Sequence, residues 1–404
     1  MGMRKLIWQR KLCIMWLCIF ITTVAIGQEA REHLRQGLRY AQKGMLDNAI
    51  EEYKKALELD PDLASAHTNL GAAYALKGLH DEAVEEHKRA LSINPNLALA
   101  HTYLGTCYEY KGMLEEAIAA HKRAVKLRPD FALAHNNLGL AYAKKGLIEE
   151  AIEELKTAAT LSPQYPDPHI NLGSIYDKKE LYDEAIACYQ KALEINPELV
   201  LVHNSLGLTY SRKEMFKEAV EQLKKGIEIR PKVALTYTNL GMVYYAQGKL
   251  EEAIAEHQKA LELNPDLVLA HNNLALTYAK KGLLKEAIDE FKRAIELNPR
   301  LPTVHYNLGL AYSEKGLLTE AIEEYRKELE LAPQNPDAHL NLAVAAYLKG
   351  QYDLAWVHAR RAEKLQHPKA AQIIDILKKV SREPRKEGSH IKQGMPLSPQ
   401  SLPF

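Results

Sequence analysis

Ten positions stepped by 34 residues hold nine histidines: His33, His67, His101, His135, His169, His203, His271, His305 and His339, with Tyr237 in the one gap. Imidazoles at regular spacing invite two chemistries, metal ligation and proton transfer. Distance excludes a continuous metal ladder. Equivalent residues on packed neighbouring helices lie roughly 8–10 Å apart, whereas two nitrogens sharing a zinc must lie within about 3–4 Å. His67 with His87 and His101 with His121 are closer candidates, but packed, partly buried rings are the expected role. The sequence has no Gly-rich phosphate loop, nucleophile elbow or zinc-type Cys/His spacing. No enzyme activity, metal or cofactor is expected.

A second column holds Asn69, Asn137, Asn171, Asn239, Asn273, Asn307 and Asn341, interrupted by Arg35, Tyr103 and Ser205. A carboxamide both donates and accepts, which is what gripping the backbone of an extended peptide requires. Asn also bonds its own local backbone, a purely structural alternative. It is a poor residue for a helix interior, so its recurrence argues for contact with a ligand.

Both columns are set by one repeat. Prolines fall at 61, 95, 129, 163, 197, 231, 265, 299 and 333, a strict step of 34. Taking each as position 32 gives ten units, starting at Ala30, Ala64, Ala98, Ala132, Pro166, Val200, Ala234, Val268, Pro302 and Pro336. Position 8 is glycine in eight units, with Ala275 and Ala343 as replacements, and position 20 is alanine throughout. Residues without bulk there let two helices approach closely, with Leu at 7 and Tyr at 11 filling between them. Position 15 is glycine in eight units, suited to a left-handed helix end; Glu180 and Glu214 should make less comfortable turns. Each unit therefore reads as helix, turn, helix.

This pattern of large residue, Leu, Gly, Tyr, Ala, aromatic, Ala and Pro over 34 residues resembles the tetratricopeptide repeat family, across residues 30 to about 369. The histidine column stands where that family usually has tryptophan. The resemblance implies an all-α fold, a right-handed superhelix of about ten helix-turn-helix repeats, with the first helix of each pair lining a concave groove. Positions 2, 6, 9 and 13 share one stripe of that helix, and the family geometry turns the stripe to the groove. The asparagine column is similar to one lining the repeat groove of O-GlcNAc transferase, where it holds substrate polypeptide; no transferase domain accompanies it here. The family's carboxylate clamp needs Lys at position 5 and Asn at position 9, and neither is present.

The remaining stripe positions suggest the ligand. Position 2 is Leu99, Leu133, Leu201, Leu235 and Leu269, position 9 includes Leu140, Leu208, Met242, Leu276 and Leu310, and position 13 holds Lys144, Lys178, Arg212 and Lys280. Aliphatic shelves, amide grips and a basic band suit an extended segment with apolar and acidic residues. The basic band is equally explained as compensation of helix C-terminal dipoles.

Outside the repeats, residues 1–27 carry Arg4, Lys5, Arg10 and Lys11 ahead of LCIMWLCIFITTVAI and then Ala25-Ile26-Gly27. This reads as a secretory signal peptide, or else as a short membrane tether through residues 6–26. Cys13 and Cys18 lie within it, leaving Cys107 and Cys188 as unpaired small fillers. Residues 370–381 read as a helix that caps the array, and 382–404, rich in Pro, Gly and Ser, as a disordered tail. Formal charge is +1, and without the leader's cations the balance is slightly negative, which is no nucleic-acid footprint. The expected protein is an exported scaffold, periplasmic or extracellular, or membrane-anchored if the leader is kept. It binds other proteins through extended segments, within an envelope assembly or secretion complex. The alternative is a self-assembling structural protein whose groove is incidental.

Overall fold

A computed structural model describes residues 27–301 and 303–383. The expected signal peptide and tail lie outside the described residues, apart from Gly27, Arg382 and Glu383. Among the described residues there are only helices and turns, and no helix is long and apolar enough to cross a membrane.

The chain divides into two compact units, up to Lys213 and from Glu214 onward. The first holds α1 (residues 27–42), α2 (Leu46–Leu59), α3 (Ala64–Leu76), α4 (His80–Ile93), α5 (Ala98–Tyr110), α6 (Leu114–Leu127), α7 (Ala132–Lys145), α8 (Ile148–Leu161), α9 (Asp167–Lys178), α10 (Tyr182–Ile195) and α11 (Val200–Arg212). The second holds α12 (Phe216–Ile229), α13 (Ala234–Ala246), α14 (Leu250–Leu263), α15 (Val268–Lys280), α16 (Leu284–Leu297), α17 (Val304–Glu314), α18 (Leu318–Leu331), α19 (Pro336–Leu348), α20 (Tyr352–Lys364) and α21 (Ala370–Val380). Odd-numbered helices through α19 are the first helices of the repeats, and even-numbered ones the second. In each unit the array is an all-α solenoid.

The two helices of a repeat are locked by a side chain standing over a glycine. A Cβ on Gly139 would lie 2.7 Å from Leu155 Cγ and 3.1 Å from the Ala151 carbonyl oxygen, so α7 and α8 touch through a position that admits no side chain. The same arrangement sets Tyr189 over Gly173, Tyr325 over Gly309, and His87 over Gly71. His87 is wholly buried with neither ring nitrogen partnered. Burial pushes its pKa down to about 4, so it packs as a neutral ring. The position 20 alanines, from Ala49 to Ala355, are fully buried at the same interface.

Successive first helices also touch, α3 with α5 and α5 with α7 in one unit, α13 with α15 and α15 with α17 in the other; among the described residues within each unit no two successive second helices do. The first-helix face is therefore the tighter, inner face of each array. α21 packs against α19 and α20 by burying Ala370, Ile374 and Leu377, while Trp356 Nε1 donates to Ser381 Oγ at 3.0 Å.

The helix-ending glycines adopt the left-handed conformation, Gly146 with φ 85° among them, and Glu180 and Glu214 are forced into it at φ 60°. A side chain there costs roughly 1–2 kcal/mol, partly offset by the extra unfolded-state freedom that glycine brings. Glu180→Gly should therefore raise stability by about 0.5–1 kcal/mol in denaturant unfolding. Gly139→Ala should lower it by about 1–3 kcal/mol; an unchanged midpoint would show that the helices separate freely there.

Candidate functional site: the first-helix face

The histidine column fastens most of the first helices to the turn that precedes them. His67, His101, His135, His203, His271, His305 and His339 place Nε2 2.9–3.2 Å from the carbonyl oxygen of the proline six residues earlier. Tyr237 donates its hydroxyl to Pro231 in the same way, at 3.1 Å. Since a carbonyl only accepts, Nε2 must carry a proton. On the other side of the ring, Nδ1 of His67, His135, His271 and His305 meets Glu86, Glu154, Glu290 and Glu324 of the second helix at 2.5–2.6 Å. Each ring is thereby held on both sides, by a backbone carbonyl and by a second-helix carboxyl group. Among the described residues no group of three or more His, Cys, Asp or Glu is placed to hold a metal ion.

His305 and Glu324 are both buried. The Glu324 hydrogen bond raises the His305 pKa; burial pulls Glu324 upward, but its bonds to His305 and Lys327 hold it below the usual range. For His305 the stabilisation is complete below about pH 6.5 and is lost as pH rises through the raised folded value. For Glu324 it is present above about 4.5 and lost as pH falls through the lowered one. The pair therefore stabilises most between these limits. Glu324→Gln should lower the His305 pKa in an NMR titration and remove roughly 1.5–3 kcal/mol near pH 6.

The asparagines share the stripe but not one environment. Asn69 donates to the carbonyl of Ser65 on its own helix at 2.8 Å. Asn137 donates to Thr106 Oγ1 of the preceding repeat at 3.3 Å and accepts from Asn136 at 3.2 Å. Asn171 donates to Asn136 Oδ1 at 2.9 Å, and Asn341 to the Tyr306 hydroxyl at 2.9 Å. Asn239 and Asn273 are buried. Asn273 accepts from Asn272 at 3.2 Å, while its own Nδ2 has no partner. Asn307 faces a small cavity that Tyr245, Lys280 and Glu314 also line. Sequence reasoning left Asn136 without a role; it is the bridge between the fourth and fifth repeats.

Most of the basic band is tied to the array itself. Lys144 binds Glu109 at 2.6 Å, Arg212 pairs with Asp177, and Lys280 reaches the Tyr245 carbonyl at 3.3 Å with its ammonium 4.2 Å from that residue's ring centre. In each case position 13 of one repeat meets position 12 of the repeat before. Burial pulls Glu109 upward, but His121 and Lys144 outweigh it and hold the carboxyl ionised. Lys178 is exposed on α9. The adjacent position 14 lysines reach the second helix of the preceding repeat, as Lys145 does to Glu115 at 2.6 Å and Lys179 to Glu149 at 2.9 Å.

Apolar groups lie open on the same stripe. Leu201 is 69% exposed, Leu76 73% and Tyr110 71%, and Leu235, Met242, Leu269 and Leu348 are exposed too. Side chains of this kind in register on successive helices mark a surface for a partner.

Helix pairs in a 34-residue register, with the first helices gathered on one face in each unit, define an α-solenoid repeat scaffold. Family models described as "TPR repeat" match residues 37–78, 107–146, 143–180, 241–282, 280–316 and 312–350. Others described as "Tetratricopeptide repeat" match 64–97, 166–199 and 201–233. The chain belongs to the tetratricopeptide repeat family. It is a protein-binding scaffold on a fold that is generally non-catalytic. No protein of curated description matches it. Among solved structures it is similar to yeast Tom70, at 16% identity over 87% of this chain and 95% of that chain with a TM-score of 0.49. It is also similar to YrrB, "a TPR protein with an unusual peptide-binding site", at 25% identity over 49% and 99% with a TM-score of 0.40. MamA matches at 32% identity over 40% and 94%, with a TM-score of 0.35.

Proposed function

We propose that this chain is an exported scaffold that holds extended polypeptide on its first-helix face, as a component of an envelope assembly or secretion complex. The observation that carries the binding reading is the line of exposed apolar side chains at positions 2, 9 and 13, interleaved with the amides of position 6. An extended segment offers an unpaired carbonyl and N–H at every residue, and a carboxamide serves either. Apolar shelves beside it take alternate side chains. The amides with a donor or acceptor to spare are the grips, Asn171, Asn307 and Asn341 being half-buried at the surface. Lys178 supplies an exposed cation for acidic residues of the segment.

Export rests on the basic, then apolar, leader that closes on small residues. The mature protein is then periplasmic or extracellular, and a leader that stays in place would tether it to the membrane. N-terminal sequencing of the protein recovered outside the cytoplasm should begin near Gln28; an intact Met1 would favour the tether.

The binding reading is tested with an unfolded, fluorescently labelled polypeptide titrated by the full chain. Replacing Leu235, Met242 and Leu269 by Ser should weaken binding at least about tenfold, a loss of about 1.4 kcal/mol, with the unfolding midpoint unchanged. Equal affinity for wild type and variant would contradict it.

A further inference from the structure

The first-helix face is not uniform, and it departs most from the repeat between α3 and α7. Position 9 is small in two consecutive units, Ala72 and Thr106, where other units carry leucine such as Leu140 and Leu276. At position 13 the same two units hold Leu76 and Tyr110 in place of a cation. Position 6 of the third unit is Tyr103 rather than asparagine. Together these exchanges open a cavity of about 320 Å³ floored by Ala72, Ala75 and Cys107 and walled by Leu76, Tyr103 and Tyr110. Asn137 and Thr106 also line it, the Asn137 amide donating to Thr106 Oγ1 at 3.3 Å.

Both tyrosine walls are held in place from behind. The Tyr110 ring stacks on His80 with centroids 4.6 Å apart and planes within 8°, although most of it is exposed. Tyr103 leans on His87 at 5.8 Å. A rigid aromatic recess with an exposed leucine at its lip is the form of a binding hot spot, and its volume is at the low end of the ~300–1,000 Å³ typical of ligand pockets. It has room for one large side chain.

Charge identifies what flanks that side chain. On α1 the stripe positions that elsewhere hold leucine and asparagine are Arg31 and Arg35, both exposed, with Arg39 beside them. Glu32 meets Arg35 at 3.2 Å and Arg39 at 3.6 Å, so this end of the face keeps a positive excess. We propose that α3, α5 and α7 carry an anchor pocket for one bulky apolar side chain of an extended polypeptide whose nearby carboxylate is held by Arg31 and Arg35. Helix spacings of ~8–10 Å and ~3.3 Å per extended residue put that carboxylate about four to six residues from the anchor.

This specificity rests on the first-helix face being a polypeptide groove, and one experiment separates the two claims. Fluorescein-labelled peptides of Ser and Thr, carrying a single Leu or Phe and one Asp at that separation, are titrated with the full chain by anisotropy. Matched peptides replace the anchor by Ala. Wild type should prefer the anchored peptide at least about tenfold. Ala72→Leu, which installs the residue other repeats already carry, should abolish that preference while the unfolding midpoint stays put. Equal affinity of wild type for anchored and Ala peptides overturns the anchor and leaves the groove standing. Binding of no peptide overturns both, and a preference that survives Ala72→Leu overturns the assignment to this pocket.

Discussion

Most of the helix pairs depend on one close approach, a first-helix glycine at position 8 lying under a second-helix side chain at position 24. At Gly139 that contact is too short for any Cβ. The partner changes along the chain, from Tyr53 to His87, Leu155 and Tyr325, while the small residue beneath it stays. Packing density explains the asymmetry: a ring or a leucine adapts by rotation, but two backbones at this separation have nothing to move. With the first helix fixed against the second, its rotation is fixed too. Positions 7, 8 and 11 face inward, and positions 2, 6, 9 and 13 are left on the first-helix face.

The next level is the joint between repeats. A solenoid has only nearest-neighbour interfaces, so each joint must hold by itself. Here most joints are tied more than once. A histidine or tyrosine holds the preceding proline turn at most of them, a position 14 lysine often crosses to the neighbouring second helix, and at three joints a position 13 residue meets position 12 of the repeat before. Exposed ion pairs contribute little singly, about 0–1 kcal/mol each. The buried imidazole clamps carry more, because a carbonyl and a carboxylate would otherwise lie desolvated.

The fold was legible because its signals are backbone signals that recur. The proline step, the glycines of positions 8 and 15 and the alanines of position 20 each answer a local steric demand, and Glu180 and Glu214 do adopt the left-handed turn that their position requires. The site was less legible because side-chain partners across a joint are 30 to 35 residues apart. Lys144 reads alone as a groove cation; only Glu109 one repeat earlier gives it an internal partner. The signal was present as an alternation every second repeat, Glu109, Asp177 and Tyr245 against Lys144, Arg212 and Lys280. Asn69 turning to its own helix and Asn136 bridging two repeats depend on rotamers that spacing alone does not determine. The aromatic recess escaped notice for a related reason, since it arises from several small departures and no motif.

The central claim is that polypeptide lies along the first helices. Photo-crosslinking an extended peptide that carries benzoylphenylalanine, with adducts mapped by mass spectrometry, tests it most directly. Adducts should fall on positions 2, 6, 9 and 13 of α3 to α11 and α13 to α19. Adducts confined to the even-numbered helices, or to α21, would contradict it.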